Sequence, residues 1–170
     1  MTLSALRRFS PSTETISDSD LRLMVEDMPI AVMTCNIHDF CITYANGASL
    51  DALRTLEHIL PCKADDIVGQ CIDIFHKNPA HQRALLSNPA NLPHQAQITL
   101  GDEVLDLLIT PIMRGQSYNS AMLTWSIVTE KMRQEAEATK LTRMLNMMPI
   151  NVMLADKDTL DLIYLNETSV

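Results

Sequence analysis

Residues 95–110, Gln95-Ala-Gln-Ile-Thr-Leu-Gly-Asp-Glu-Val-Leu-Asp-Leu-Leu-Ile-Thr110, read as two strands, Gln95 to Leu100 and Glu103 to Thr110, around the two-residue loop Gly101-Asp102. A glycine in the first of two loop positions suits a type II′ hairpin turn. If Leu100 pairs with Glu103, Ile98 stands opposite Leu105 and Ala96 opposite Leu107. That register puts Ile98, Leu105, Leu107 and Ile109 on one apolar face.

Immediately upstream, Gln70 to His94 carries three of the five histidines, so metal or cofactor chemistry is expected to start there. Ile72, Ile74 and Phe75 form a short apolar turn. Pro79 keeps that turn from running on as one helix, because proline lacks a donor and restricts the residue before it. His76 is thereby held on a short, stiff element. Ala80 to Leu86 returns to helical spacing until Asn88-Pro89, and Leu92-Pro93 leads into the hairpin.

Downstream, Arg114 to Ser120 reads as a polar loop, Ala121 to Val128 as a last strand with the single tryptophan, and Thr129 to Met147 as a helix with a weak apolar stripe. Toward the N-terminus, residues up to about 17 read as a flexible arm rich in Ser and Thr. Ser17-Asp18-Ser19-Asp20 offers N-caps for a short helix ending before Pro29. Ile30 to Thr34 and Phe40 to Tyr44 suggest a second hairpin, and Ala48 to Leu60 a helix stopped by Pro61.

Leu21, Met24, Met28-Pro29-Ile30, Val32-Met33, Tyr44, Asn46 and Ser49 recur, without gaps, as Leu141, Met144, Met148-Pro149-Ile150, Val152-Met153, Tyr164, Asn166 and Ser169. The constant offset of 120 marks a second copy of the same unit, present only in its opening part. The expected organisation is a flexible arm over 1–18, a sensor-sized domain over 19–128, a connecting helix over 129–147 and the truncated start of a second repeat over 148–170. The order strand, strand, short helices, three strands, helix describes an α+β fold: a five-stranded antiparallel sheet with helices on one face.

Composition narrows the function. A formal net charge of −8 argues against nucleic acid, which needs a basic face. No apolar run reaches the roughly 20 residues of a membrane helix, and the chain reads as cytoplasmic. Cys35, Cys41, Cys62 and Cys71 form no CxxC pair, so reduced core thiols are the plain reading. With four glycines, no phosphate-binding loop, no G-x-S-x-G and no H-E-x-x-H, an enzyme is not expected. On spacing alone His76 and His81 both stand as candidate metal ligands, beside the simpler alternative of core or rim histidines.

The strand–strand–Tyr44-Ala-Asn46 opening, the run of short helices, the three-strand return and the exit helix after Thr129 resemble a PAS sensor domain. The tract Ile74 to Pro89, with Leu92-Pro-His94, Leu105-Asp-Leu107 and Met122-Leu-Thr-Trp-Ser126, is similar to the haem-binding PAS domains of bacterial aerotaxis and methyl-accepting chemotaxis transducers. The resemblance covers about residues 21–132. It implies haem b with its iron on His76, His81 being the alternative ligand, and Trp125 near bound oxygen.

Trp125 offers an indole N–H donor to the partial negative charge on such a ligand. Leu123 and Ala121 lie on its strand, and Ile98, Leu105 and Leu107 complete an apolar wall. The partners so implied are a diatomic gas, oxygen first, a second copy of the chain in a homodimer, and a tandem PAS or chemoreceptor signalling domain downstream. The competing readings are a cofactor-free dimerisation scaffold and a pocket for flavin or a small metabolite. One departure stands out. Where many PAS domains end their last strand with Asp-x-Thr, this chain has Ile127-Val-Thr129, which leaves the usual coupling contact to the exit helix without its acid.

Overall fold

The computed structural model describes residues 16–169. The arm expected over 1–18 lies outside these except for its last three residues, where helix α1 (Asp18–Glu26) already begins. Ser17 caps it through a capping box: its hydroxyl accepts from the Asp20 amide at 3.2 Å, and the Asp20 carboxylate accepts from the Ser17 amide at 3.2 Å.

Strands β1 (Ala31–Asn36) and β2 (Ile42–Ala45), helix α2 (Gly47–Leu56), the 3₁₀ turns Ala64–Asp66 and Ile72–Phe75, and helix α3 (Pro79–Ser87) precede β3 (His94–Leu100), β4 (Glu103–Arg114), β5 (Ser117–Ile127) and helix α4 (Thr129–Asn146). Strands β1 to β5 build one antiparallel sheet in the order β2-β1-β5-β4-β3. The expected α+β fold is the observed one. Ala31, Ile42, Leu53, Leu56, Ile67, Leu105 and Trp125 form the main core between sheet and α2.

The β3–β4 register is the expected one, with Leu100 opposite Glu103, Ile98 opposite Leu105 and Ala96 opposite Leu107. Of the two loop residues only Gly101 has positive φ, at 59°, as a type II′ turn requires. The expected loop over 114–120 is a correction: β4 runs to Arg114, Gly115 turns the chain with φ 63°, and β5 starts at Ser117. Pro111 is tolerated inside β4 because β3 reaches only as far as His94 opposite Ile109. Beyond that point β4 has no neighbour on its β3 side to miss a proline N–H. Helix α2 ends at Leu56, four residues before the expected end.

Asn46, fully buried at the head of α2, ties three segments together. Its Nδ2 donates to the carbonyls of Val25 (3.1 Å), Met28 (3.4 Å) and Ile30 (2.9 Å), while Oδ1 accepts from the amides of Val32 (2.9 Å) and Ser49 (3.0 Å). Strands β6 (Met153–Ala155) and β7 (Leu162–Leu165) reproduce this arrangement at the 120-residue offset. Met153 pairs with Leu165 as Met33 does with Ala45, and the irregularity after Thr34 recurs after Leu154. Asn166 likewise donates to Leu145 (3.1 Å) and Ile150 (2.9 Å) and accepts from Val152 (3.0 Å).

At the other end of the sheet the acid missing from Ile127-Val-Thr129 is supplied by a different strand. Thr129 Oγ1 donates to the Glu103 carboxylate and accepts from the Val104 amide at 2.8 Å, and the Val128 amide donates to the Val104 carbonyl at 2.8 Å. The start of α4 is thus clasped to the start of β4.

Candidate functional site

Between the sheet and the segment from Ile72 to Leu86 lies a cavity of about 240 Å³. Ile98, Leu105, Leu107, Leu123 and Trp125 line it from the sheet, Leu53 and Leu56 from α2, and His76, His81, Gln82 and Leu86 from the opposite side. Leu105 and Trp125 are buried, whereas Ile98 is 37% exposed. All the residues singled out in the sequence therefore meet around one space. His94, the first residue of β3, joins them, while His38 and His58 are not among the lining residues.

His76 closes the 3₁₀ turn Ile72–Phe75. Its backbone is extended (φ −121°, ψ 132°), and its amide still donates to the Asp73 carbonyl at 3.1 Å. The half-buried imidazole is held below its ordinary titration range by burial, against which Asp73 pulls upward. A neutral imidazole facing an apolar space is competent as a metal ligand. Asp73 is itself fixed by Arg83, whose Nε donates to Oδ1 at 3.0 Å and whose guanidinium holds the carboxyl below the usual range. Pro79 at the first position of α3 starts that helix, which carries His81 and Gln82.

Trp125 is paired with Ala31 on one side and Leu107 on the other. Its indole Nε1 donates to Ser49 Oγ at 3.2 Å, and that hydroxyl donates to the Val32 carbonyl at 3.0 Å. Ser49 is fully buried and was not singled out as a site residue, although its recurrence as Ser169 marked it. Gln82 was also missed: its Oε1 is buried without a hydrogen-bond partner at the cavity wall. Sequence gave no sign of it, since glutamine on a short helix is ordinarily solvated.

Three imidazoles, of which His76 and His94 are partly buried, walls of Leu, Ile and Trp, and one unsatisfied amide oxygen suit a mostly apolar group that carries one metal. On donor chemistry, a haem fits these residues.

No protein-family model matches the chain. It is 36% identical over 129 residues to the methyl-accepting chemotaxis protein McpB of Pseudomonas aeruginosa, a match over 75% of this chain but only 17% of that receptor's length. Among solved structures it is similar to the Aer2 receptor from Vibrio cholerae, described as a dual PAS-heme oxygen sensor. The two share 37% identity with a TM-score of 0.55, over 62% of this chain and 99% of the other. With the five-stranded sheet, the helical segment facing it and that degree of identity together, the chain belongs to the PAS domain family.

Proposed function

We propose that residues 19–128 are a haem-binding sensor of a diatomic gas, oxygen first, in a chemotaxis-type transducer. The observation that carries this reading is His76: a half-buried imidazole kept neutral by burial at the edge of an apolar cavity. Haem b would supply an iron able to bind a diatomic gas. His76 would hold that iron, with His81 as the alternative. Ile98, Leu105, Leu107 and Leu123 would present an apolar wall to that group. Trp125 brings a directional donor to the sheet side of the cavity, parked on Ser49.

Helix α4, over the connecting segment 129–147, would carry the signal toward a second repeat begun in 148–170 and on to a chemoreceptor output, in a cytoplasmic homodimer. The clasp of Thr129 by Glu103 and Val104 supports this, because it links the cavity-lining strand β4 to the first turn of α4. Among the described residues no helix is long and apolar enough to cross a membrane. The deciding experiment is an absorption spectrum of the protein purified with added haemin. A Soret band lost or shifted in His76→Ala and retained in His81→Ala is expected; no Soret band in the parent overturns the reading.

A further inference from the structure

Cys41 and Cys71 face each other across an isolated antiparallel bridge outside the cavity's own chemistry. The bonds flanking the pair are Ile42 N to Gln70 O (2.8 Å) and Ile72 N to Phe40 O (3.0 Å), so the two cysteines occupy a non-hydrogen-bonded position. At such positions Cα atoms approach to about 4.5 Å with both side chains on the same face. That separation lies within the roughly 4.4–6.8 Å range that a disulfide spans. Both thiols point at a single acceptor, the Asp39 carbonyl, at 3.9 Å from Cys41 and 3.8 Å from Cys71.

The surroundings differentiate the two sulfurs. Arg83, stacked 4.8 Å from the Phe40 ring centre and paired with Asp73, also donates through Nη2 to Cys71 Sγ at 3.7 Å. That contact holds the Cys71 sulfur in place beside Cys41. The Cys41 thiol is held above its ordinary range by burial and by the nearby Asp39 carboxylate. Cys35 is buried, with its thiol pushed up to about 11 chiefly by burial, so it stays protonated. Cys41 and Cys71 are both partly exposed and open to a small oxidant.

We propose that Cys41 and Cys71 form a reversible intramolecular disulfide when the protein meets a hydroperoxide. The Cys71 sulfur attacks one peroxide oxygen and breaks the O–O bond as its thiol proton is released. The departing oxygen takes up a proton and leaves as water or an alcohol, and Cys71 becomes a sulfenic acid. The Cys41 sulfur then attacks the Cys71 sulfur, the S–S bond forms as the S–O bond breaks, and the hydroxyl leaves as water with the Cys41 proton. Two thiols are oxidised by two electrons, the peroxide is reduced by two, and a dithiol reductant reverses the bond. The cross-link closes the loop 41–71 and fixes the residue directly before the turn Ile72–Phe75 that ends on His76. This device stands whether or not a haem is bound.

The test is peptide mapping of the whole chain. Reduced protein is treated with a small excess of hydrogen peroxide, free thiols are blocked with N-ethylmaleimide, and the digest is analysed by mass spectrometry. The expected product is a linked Cys41–Cys71 peptide pair that dithiothreitol releases. It should persist in Cys35→Ser, which removes the neighbouring thiol from the same peptide. In Cys41→Ser, dimedone should trap the sulfenic acid on Cys71. Full maleimide labelling of Cys41 and Cys71 after peroxide treatment overturns the proposal, as does a bond to Cys35, to Cys62 or to a second chain.

Discussion

The indole N–H of Trp125 and the hydroxyl of Ser49 meet at 3.2 Å although 76 residues separate them, and Ser49 in turn donates to Val32 on the strand next to Trp125. The relay joins α2, β1 and β5 inside the core. Ser49→Ala leaves a buried indole donor unpaired and should cost about 1–3 kcal/mol. Trp125→Phe in the same background should cost less than it does alone. Urea denaturation of the four members of that cycle measures the coupling, and additive effects would mean that the bond contributes nothing.

The same bond makes a kinetic prediction for the haem-loaded protein. Dioxygen draws negative charge from ferrous iron and carbon monoxide draws far less, so only the first responds strongly to a donor. Trp125→Leu should speed oxygen release by about ten- to a hundredfold, at about 1.4 kcal/mol per decade, with little change for carbon monoxide. Ser49→Ala should act in the opposite direction, because it removes the acceptor that competes for the indole N–H. Stopped-flow release of both gases from parent and variants separates donor from packing: equal changes for the two gases would leave Trp125 as packing alone.

His76 predicts the pH dependence. Its folded value is depressed below the ordinary 6.5 by burial. As pH falls below about 6.5 the unfolded chain takes up a proton that the folded chain refuses, so stability falls with pH and levels off once the folded form also titrates. The melting temperature should therefore decline below pH 6.5, before the carboxylates begin to protonate. In His76→Ala that part of the slope should flatten. An unchanged slope would place the sensitivity elsewhere.

Thr129→Val keeps the shape of the side chain but removes the oxygen that accepts from Val104 and donates to Glu103. A loss of about 1 kcal/mol is expected for this part-buried pair. Hydrogen exchange should quicken first at Val104 and in the opening turn of α4. Glu103→Gln, which keeps an acceptor, should do less. Equal protection in all three proteins would show that the clasp does not hold the helix.

Asn46→Ala removes five hydrogen bonds at a fully buried position and should destabilise by about 3 kcal/mol or more. Asn46→Asp should be comparably harmful, since a carboxylate accepts but cannot donate to the carbonyls of Val25, Met28 and Ile30. Guanidinium titration of both variants checks this, and a mild Asp substitution would argue that the donor side is dispensable.

The hairpin register and the 120-residue repeat were legible because each rests on local rules: a glycine with positive φ sets one, and identical residues at a constant offset set the other. Lining residues such as Leu105 and Leu107 followed from that register. The run of β4 past Pro111 was not legible, because a proline reads as a stop until it is known that β3 ends opposite Ile109. The polar tract after Arg114 read as loop because its residues lie beyond the core, and backbone pairing rather than burial makes it strand. Contacts between distant segments stayed hidden altogether: nothing local couples Ser49 to Trp125, or Glu103 to Thr129.

Helix α4 is held at both ends, by Glu103 and Val104 at Thr129 and by Asn166 at the Leu145 carbonyl. From Thr129 to Leu145 the helix advances about 4.4 turns over about 24 Å, so its two anchors stand on nearly opposite sides of its axis. It is in effect a keyed shaft. A twist entering at Thr129 reaches Leu145 with its phase preserved, and inserting one residue would turn the far key by about 100° while moving it only about 1.5 Å. The gearing between the two ends is therefore far more sensitive to the number of residues in the helix than to which residues cover its exposed surface.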